Sequence, residues 1–274
     1  MTEPNRFALN HMAAPRKQFP EFAALARSLG ITDVEIRNDL AGVAIADGTA
    51  AERVRQQAAA AGIGIVSINA LQRFNLWDEE REAEAAALAA YAAGCGAKAL
   101  VLCPVNSWDD GRDATQRQAD LQHALERLAP ILSRAGLLGL VEPLGFAESS
   151  LRFKRDSVAA IDAIGAGQTF ALVHDTFHHF LSGETEFFPE RTGLVHISGV
   201  EDRTLGHTEI RDGHRVLVGE ADVLHNVEQI RALLRGGYRG LFSFEPFAES
   251  VHAHANIAAA LNESISLVRA RALS

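Results

Sequence analysis

Eight short apolar runs recur along the chain at a nearly constant interval, and this rhythm constrains the fold more than any single motif. The runs are Phe7–Asn10, Val34–Arg37, Gly64–Ala70, Ala99–Cys103, Leu138–Glu142, Phe170–Asp175, Leu194–Ile197 and Leu241–Glu245. Each is rich in Val, Ile, Leu and Phe and too brief for a helix, the pattern of strands buried on both faces. Helical signals lie between most of them. Phe22, Leu25 and Leu29 form one apolar stripe closed by Gly30. Thr49-Ala-Ala-Glu52 reads as a capping box for a helix that Gly62 stops. Asp78 is placed to cap a helix over 79–93 before Gly94, and a longer helix over 113–135 contains Pro130, expected to kink or split it. Asp222 opens a helix over 223–234 ahead of Gly236-Gly237, and 255–272 supplies the last one.

Strands alternating with helices, with no Gly/Ser/Pro linker to interrupt them, predict an α/β protein of one domain over residues 1–274, a single (β/α)8 TIM barrel. The alternative, an open doubly wound sheet, lacks the strand–GxGxxG–helix fingerprint of a dinucleotide site; Gly62-Ile-Gly64 lies at the wrong end of its helix. The interval between the last two strands is long, so residues 198–221 are expected as an extended loop at the barrel mouth.

Charge narrows the partners. The 26 basic residues, only three of them lysine (Lys17, Lys98, Lys154), face 35 acidic ones for a net −9, which disfavours nucleic acid. The alanine-rich stretch from Ala83 to Ala93 contains Glu84 and is too short to cross a bilayer, and MTEPNRFALNHMAAPRK lacks the apolar run of a leader peptide. Cys95 and Cys103 fit no zinc-type spacing. A cytoplasmic protein with no membrane partner is expected.

In a barrel, chemistry collects where strands end and the following loops begin. Four consecutive strands finish on a metal-competent side chain: Leu140-Val141-Glu142-Pro143, Leu172-Val173-His174-Asp175, Val195-His196-Ile197 and Ser243-Phe244-Glu245-Pro246. Taken singly, Glu142 or Glu245 reads equally as a solvated strand-end carboxylate, Asp175 as a helix cap and His196 as a core histidine. Four at matched depth point to a shared partner, because an unpaired charge there is costly. Two Glu, one Asp and one His suit a single divalent ion: Mn²⁺, Zn²⁺, Mg²⁺ or Co²⁺. On a first helical turn His178 leans over the same site, either as a donor to a substrate oxygen or as a supporting group. Arg215 on the long loop is a second substrate-binding candidate, whereas Arg203 reads as a solvated loop residue. Glu35 and Arg37 end the second strand, lining the pocket or pairing with each other inside the barrel; Asn69-Ala-Leu-Gln72-Arg-Phe74-Asn75 ends the third. Cys103 reads as a small buried hydrophobe, and His252 and His254 fall outside the site.

VEPLGF, HDTFHH, VHISGVEDR…DGHRVLVGE and FSFEPF resemble the xylose-isomerase-like barrel superfamily of sugar isomerases and epimerases, across essentially the whole chain. Within it the pattern is most similar to the inosose (2-keto-myo-inositol) isomerases of inositol catabolism. They share the EIR strand end, the Asn69–Asn75 segment and the DxFH motif, while Leu217-Val218-Gly219-Glu220-Ala221 departs from the usual mouth loop. The resemblance implies that Glu142, Asp175, His196 and Glu245 bind one divalent metal and that His178 contacts substrate. It implies an isomerase or epimerase acting on a keto-polyol or ketose, inosose foremost, through a cis-enediolate with Glu142 and Glu245 as acid and base. Loss of a β-hydroxyl on the same scaffold gives a dehydratase. An apurinic-site endonuclease would need further histidines at the third and fourth strand ends, which read Asn69 and Cys103-Pro-Val-Asn106. A non-catalytic polyol-binding protein would have no need of both glutamates.

Overall fold

The computed structural model describes residues 6–40 and 47–273. The first five residues, on which the leader reading partly rests, lie outside the described residues. Eight parallel strands close in sequence order into a barrel: β1 (Phe7–Asn10), β2 (Asp33–Arg37), β3 (Gly64–Leu71), β4 (Ala99–Leu102), β5 (Leu138–Val141), β6 (Phe170–Asp175), β7 (Thr192–Ile197) and β8 (Phe242–Phe244). Around them run α1 (Phe19–Ser28), α2 (Ala51–Ala61), α3 (Glu79–Cys95), α4 (Ala114–Ala135), α5 (Lys154–Ala163), α6 (Thr176–Ser182), α7 (Asn226–Arg235), α8 (Glu249–His252) and α9 (Ile257–Val268). The expected single barrel architecture is the one observed.

Local chemistry explains most boundaries. Asp78 Oδ1 accepts from the Arg81 amide at 2.7 Å and Asp113 Oδ1 from the Gln116 amide at 2.8 Å, each covering an orphan donor of α3 and α4. Gly62 ends α2 in the left-handed conformation, φ 64°, which costs glycine nothing. Four expectations require correction. The cap of α2 is Ala50, not Thr49, whose hydroxyl is spent on Asp47. Gly94 is inside α3, which runs on to Cys95 and ends at Gly96. Pro130 does not split α4, which runs unbroken from Ala114 to Ala135. Asp222 does not start a helix at 223; its carboxylate instead ties down the Val200, Leu224 and Asn226 amides, and α7 begins at Asn226.

Two apolar layers result. One lies between the helices and the outward faces of the strands and includes Phe22, Val54, Leu88, Leu125, Ile161 and Ile230. The other fills the barrel interior with Ala99, Val101, Cys103, Leu140, Val173 and Leu194. Because side chains alternate along a strand, residues two positions on share a face. Glu142 follows Leu140, Asp175 follows Val173 and His196 follows Leu194 at that spacing. The strand pattern alone therefore turns those polar side chains inward, above the apolar plug.

Candidate metal centre

Register sets the depth. Asp175 on β6 pairs with His196 on β7, which pairs with Ser243 on β8. Glu142 and Glu245 stand one residue past the ends of β5 and β8, their amides bonded to the Leu102 and Ile197 carbonyls. The structure brings together all four side chains singled out in the sequence: Glu142, Asp175, His196 and Glu245 are buried, and their ligand atoms lie within 4.8 Å of one another. His196 Nδ1 is 2.8 Å from Glu142 Oε1 and 3.2 Å from Glu245 Oε2. Asp175 also acts as the cap of α6, its Oδ1 accepting from the Phe177 amide at 2.7 Å, while Oδ2 is turned to Arg215. The capping reading of this residue is the one the hydrogen bonds show.

Two buried arginines frame the set. Arg215 Nη2 donates to Asp175 Oδ2 at 2.7 Å and to Glu245 Oε2 at 3.1 Å, while its Nε donates to Ser198 Oγ. Arg37 donates to Glu245 Oε1 and is gripped from behind by both oxygens of Asp39. It does not pair with Glu35. Phe247 lies beneath both guanidiniums, with centroid distances of 5.3 Å to Arg37 and 4.6 Å to Arg215.

These contacts govern protonation. Burial alone would lower the His196 pKa, but Glu245, Glu35 and Glu142 hold it well above its ordinary value. Burial would raise Glu245, yet His196, Arg215 and Arg37 more than offset it and keep the carboxyl ionised. Glu35 is likewise lowered, to about 2, by His196 against its burial.

The donor chemistry fits a divalent cation. Four buried carboxylates (Glu35, Glu142, Asp175, Glu245) face two buried guanidiniums, and a doubly charged ion would bring the set to neutrality with His196 uncharged. Carboxylate oxygens with one imidazole nitrogen suit Mn²⁺, Mg²⁺, Co²⁺ or Zn²⁺. Among the described residues this is the one such group.

His178 on α6 is buried against Phe146 and Phe177, and its Nδ1 has no hydrogen-bond partner. Its placement depends on Gly145, where a Cβ would collide with the backbone carbonyl of His178. The neighbouring histidines of the HDTFHH motif face outward into a separate network. His174 Nε2 meets Gln229 Oε1 at 2.9 Å, and Lys154 Nζ lies 3.0 Å from both His174 Nδ1 and His179 Nδ1. Arg203 is exposed, as are Gln72 and Arg73. His252 and His254 lie at α8, outside the set. Residues 198–221 form the expected long segment, pinned by a bridge between Gly199 and Val216. A groove of about 600 Å³ between this segment and α9 contains none of the four residues.

Sequence reasoning missed several participants. Asn10 closes β1 and donates to both Glu35 and Glu245, and the Cys103 thiol donates to Glu142 Oε2 at 3.3 Å rather than merely filling space. Asn10 ends an apolar strand as the four candidates do, so the same rule applied to β1 would have found it. Phe247 carries no comparable signal.

Residues 23–271 match the sequence profile of the family described as xylose isomerase-like TIM barrel. A xylose isomerase domain-containing protein from Salmonella typhimurium LT2 is 36% identical, covers 96% of this chain and 97% of its own, and superposes with a TM-score of 0.89. The IolI protein, solved with a bound zinc atom, is 17% identical over 97% of this chain and 99% of its own, with a TM-score of 0.84. D-psicose 3-epimerase, solved in the presence of D-fructose, is 14% identical over 98% of this chain and 100% of its own, with a TM-score of 0.74. No curated protein sequence matches significantly.

Proposed function

We propose that this chain, which belongs to the xylose isomerase-like TIM barrel family, is a divalent-metal-dependent isomerase or epimerase of a keto-polyol or ketose, with inosose the leading substrate. That substrate would place it in inositol catabolism. The observation that carries the reading is the buried Glu142–Asp175–His196–Glu245 set, whose ligand atoms converge to within 4.8 Å at the strand ends. It is read as one barrel domain over residues 1–274. The two cysteines are buried and unpaired, in keeping with a reducing cytoplasm.

A divalent ion held by Glu142, Asp175, His196 and Glu245 would supply Lewis acidity toward a carbonyl and its neighbouring hydroxyl, making the C–H of the hydroxyl-bearing carbon more acidic. The chain supplies the rest. Glu142 and Glu245 rise from β5 and β8, on different sides of the site, so that one removes the proton and the other returns it. The product is set by where the proton returns: the opposite face of the same carbon gives an epimer, and the adjacent carbon, with a proton passed from one enediolate oxygen to the other, an isomer. Arg215 and the unpartnered Nδ1 of His178 orient substrate oxygens and steady negative charge as the cis-enediolate develops. No histidine stands at the ends of β3 or β4, where Asn69 and Cys103 are engaged with Glu35 and Glu142, which speaks against a multi-metal nuclease.

The test is deuterium incorporation from D₂O into a panel of inososes and ketoses, followed by NMR with and without EDTA treatment. Metal-dependent exchange at a carbon beside a carbonyl is expected, and product stereochemistry then names the reaction. Metal-loaded protein that exchanges no substrate would overturn the enolising mechanism.

A further inference from the structure

The four-residue set uses one nitrogen of His196. The other points away from the three carboxylates to Glu35, with Nε2 3.2 Å from the carboxylate oxygens. Glu35 is fully buried, and its carboxylate accepts from Ser67 Oγ at 2.5 Å, Asn69 Nδ2 at 2.8 Å, Asn10 Nδ2 at 3.3 Å and Ser243 Oγ. Those donors stand on β1, β3 and β8, so Glu35 is held from three strands besides its own. Arg37, two residues on, is committed to Asp39 and Glu245, and among the described residues His196 is the charged partner of Glu35.

The Glu35 carboxylate already accepts on both oxygens, from Asn10 and Ser243 on one and from Ser67 and Asn69 on the other. The ring nitrogen facing it therefore carries a hydrogen, and Nδ1 is the nitrogen turned toward Glu142 and Glu245. Whatever cation occupies the Nδ1 side, the Nε2–H bond stays in place. We propose that Glu35 is a positioning residue that holds His196 in the Nε2–H tautomer, so that Nδ1 is the atom presented to the metal. The proposal rests on the reading of the site as a metal centre and adds to it the ligating atom and the residue that selects it. Carboxylates placed behind a ligating histidine fix its orientation and raise its basicity, and their removal costs metal affinity about 10–100-fold.

A purely structural role for Glu35, as a clasp of β1, β2, β3 and β8, would change stability but not the ring. Two measurements on the full chain separate the cases. In zinc-loaded, ¹⁵N-histidine-labelled wild-type protein, long-range ¹H–¹⁵N spectra should show His196 protonated at Nε2, with slow proton exchange, and ligating through Nδ1. Glu35→Gln, which cannot accept from all these donors, should weaken Zn²⁺ affinity about 10–100-fold and alter the visible absorption of the Co²⁺ form. Ligation through Nε2, or a folded Glu35→Gln with wild-type Zn²⁺ affinity and Co²⁺ spectrum, would overturn the proposal. If the variant does not fold, the wild-type spectrum alone decides. Wild-type protein that takes up no zinc would overturn the metal reading, and this proposal with it.

Discussion

Arg37 Nη1 lies 2.7 Å from Glu245 Oε1, a contact between two buried side chains of β2 and the end of β8. It commits one oxygen of the glutamate to a fixed cation and leaves Oε2 facing His196 and Arg215. Removing one partner of a buried pair costs about 3–5 kcal/mol, because the other charge stays buried and uncompensated. Arg37→Met should fall near the lower end, since Arg215 remains on Oε2. Denaturant unfolding measures this, and stability equal to wild type would show the contact to be energetically idle.

Glu245→Gln keeps the shape of the side chain and the hydrogen bonds from Asn10 and Arg37 to Oε1, but removes its charge and its basicity. Turnover should be abolished and metal content lowered, with the circular dichroism of the folded protein retained. A variant that turns over at full rate would remove Glu245 from the acid/base pair.

For His178 the expected signature is different. Its Nδ1 has no hydrogen-bond partner in the protein, so His178→Asn should lower kcat/KM by about tenfold or more, the effect of about 1.4 kcal/mol from one lost substrate hydrogen bond. Metal affinity should stay at the wild-type value. Reduced metal uptake would instead make His178 part of the metal site.

Metal removal should destabilise the barrel. An ion held at one hundred times its Kd adds about 2.7 kcal/mol to the folded state, which for a chain of this size corresponds to roughly 5–10 °C in Tm. Calorimetry before and after EDTA treatment tests it, and an unchanged Tm with the ion demonstrably lost would mean that the four carboxylates need no metal to coexist.

The Lys154 network makes a prediction about pH. Burial lowers this lysine to about 7 against the opposing charges of Glu184 and Glu186, from an ordinary 10.5. Below about 7 both folded and unfolded chains carry the proton and the burial penalty is felt in full. Between about 7 and 10.5 the unfolded chain holds the proton and the folded one does not, so stability rises with pH across that window. Unfolding midpoints from neutral pH to about pH 9.5 should climb in the wild type and flatten in Lys154→Met. Equal slopes in the two proteins would refute the assignment to Lys154.

The strand ends were legible because a charge at the end of an apolar run is a local anomaly. The four candidate residues each sit at such an end, two positions beyond Leu140, Val173, Leu194 and Ser243, and barrel closure turns all of them inward. What joins Glu35 to His196 was not legible. These residues stand on β2 and β7, which share no ladder, and only closure brings them face to face. Ser67 and Ser243 read as unremarkable small residues until five side chains meet on one carboxylate. Helix starts were less secure than helix existence. Thr49 and Asp222 both have the chemistry of caps, but each found a nearer partner in Asp47 or in the loop amides.

Gly145 bears no functional group, yet no side chain fits between it and the backbone of His178. Even a methyl group there must force the 145 loop and α6 apart, changing where His178 sits relative to the barrel while every metal-competent donor keeps its chemical identity. An inactive variant at this position would be a mechanical casualty, and a screen that counts only lost activity would mistake a hinge-pin for a reagent.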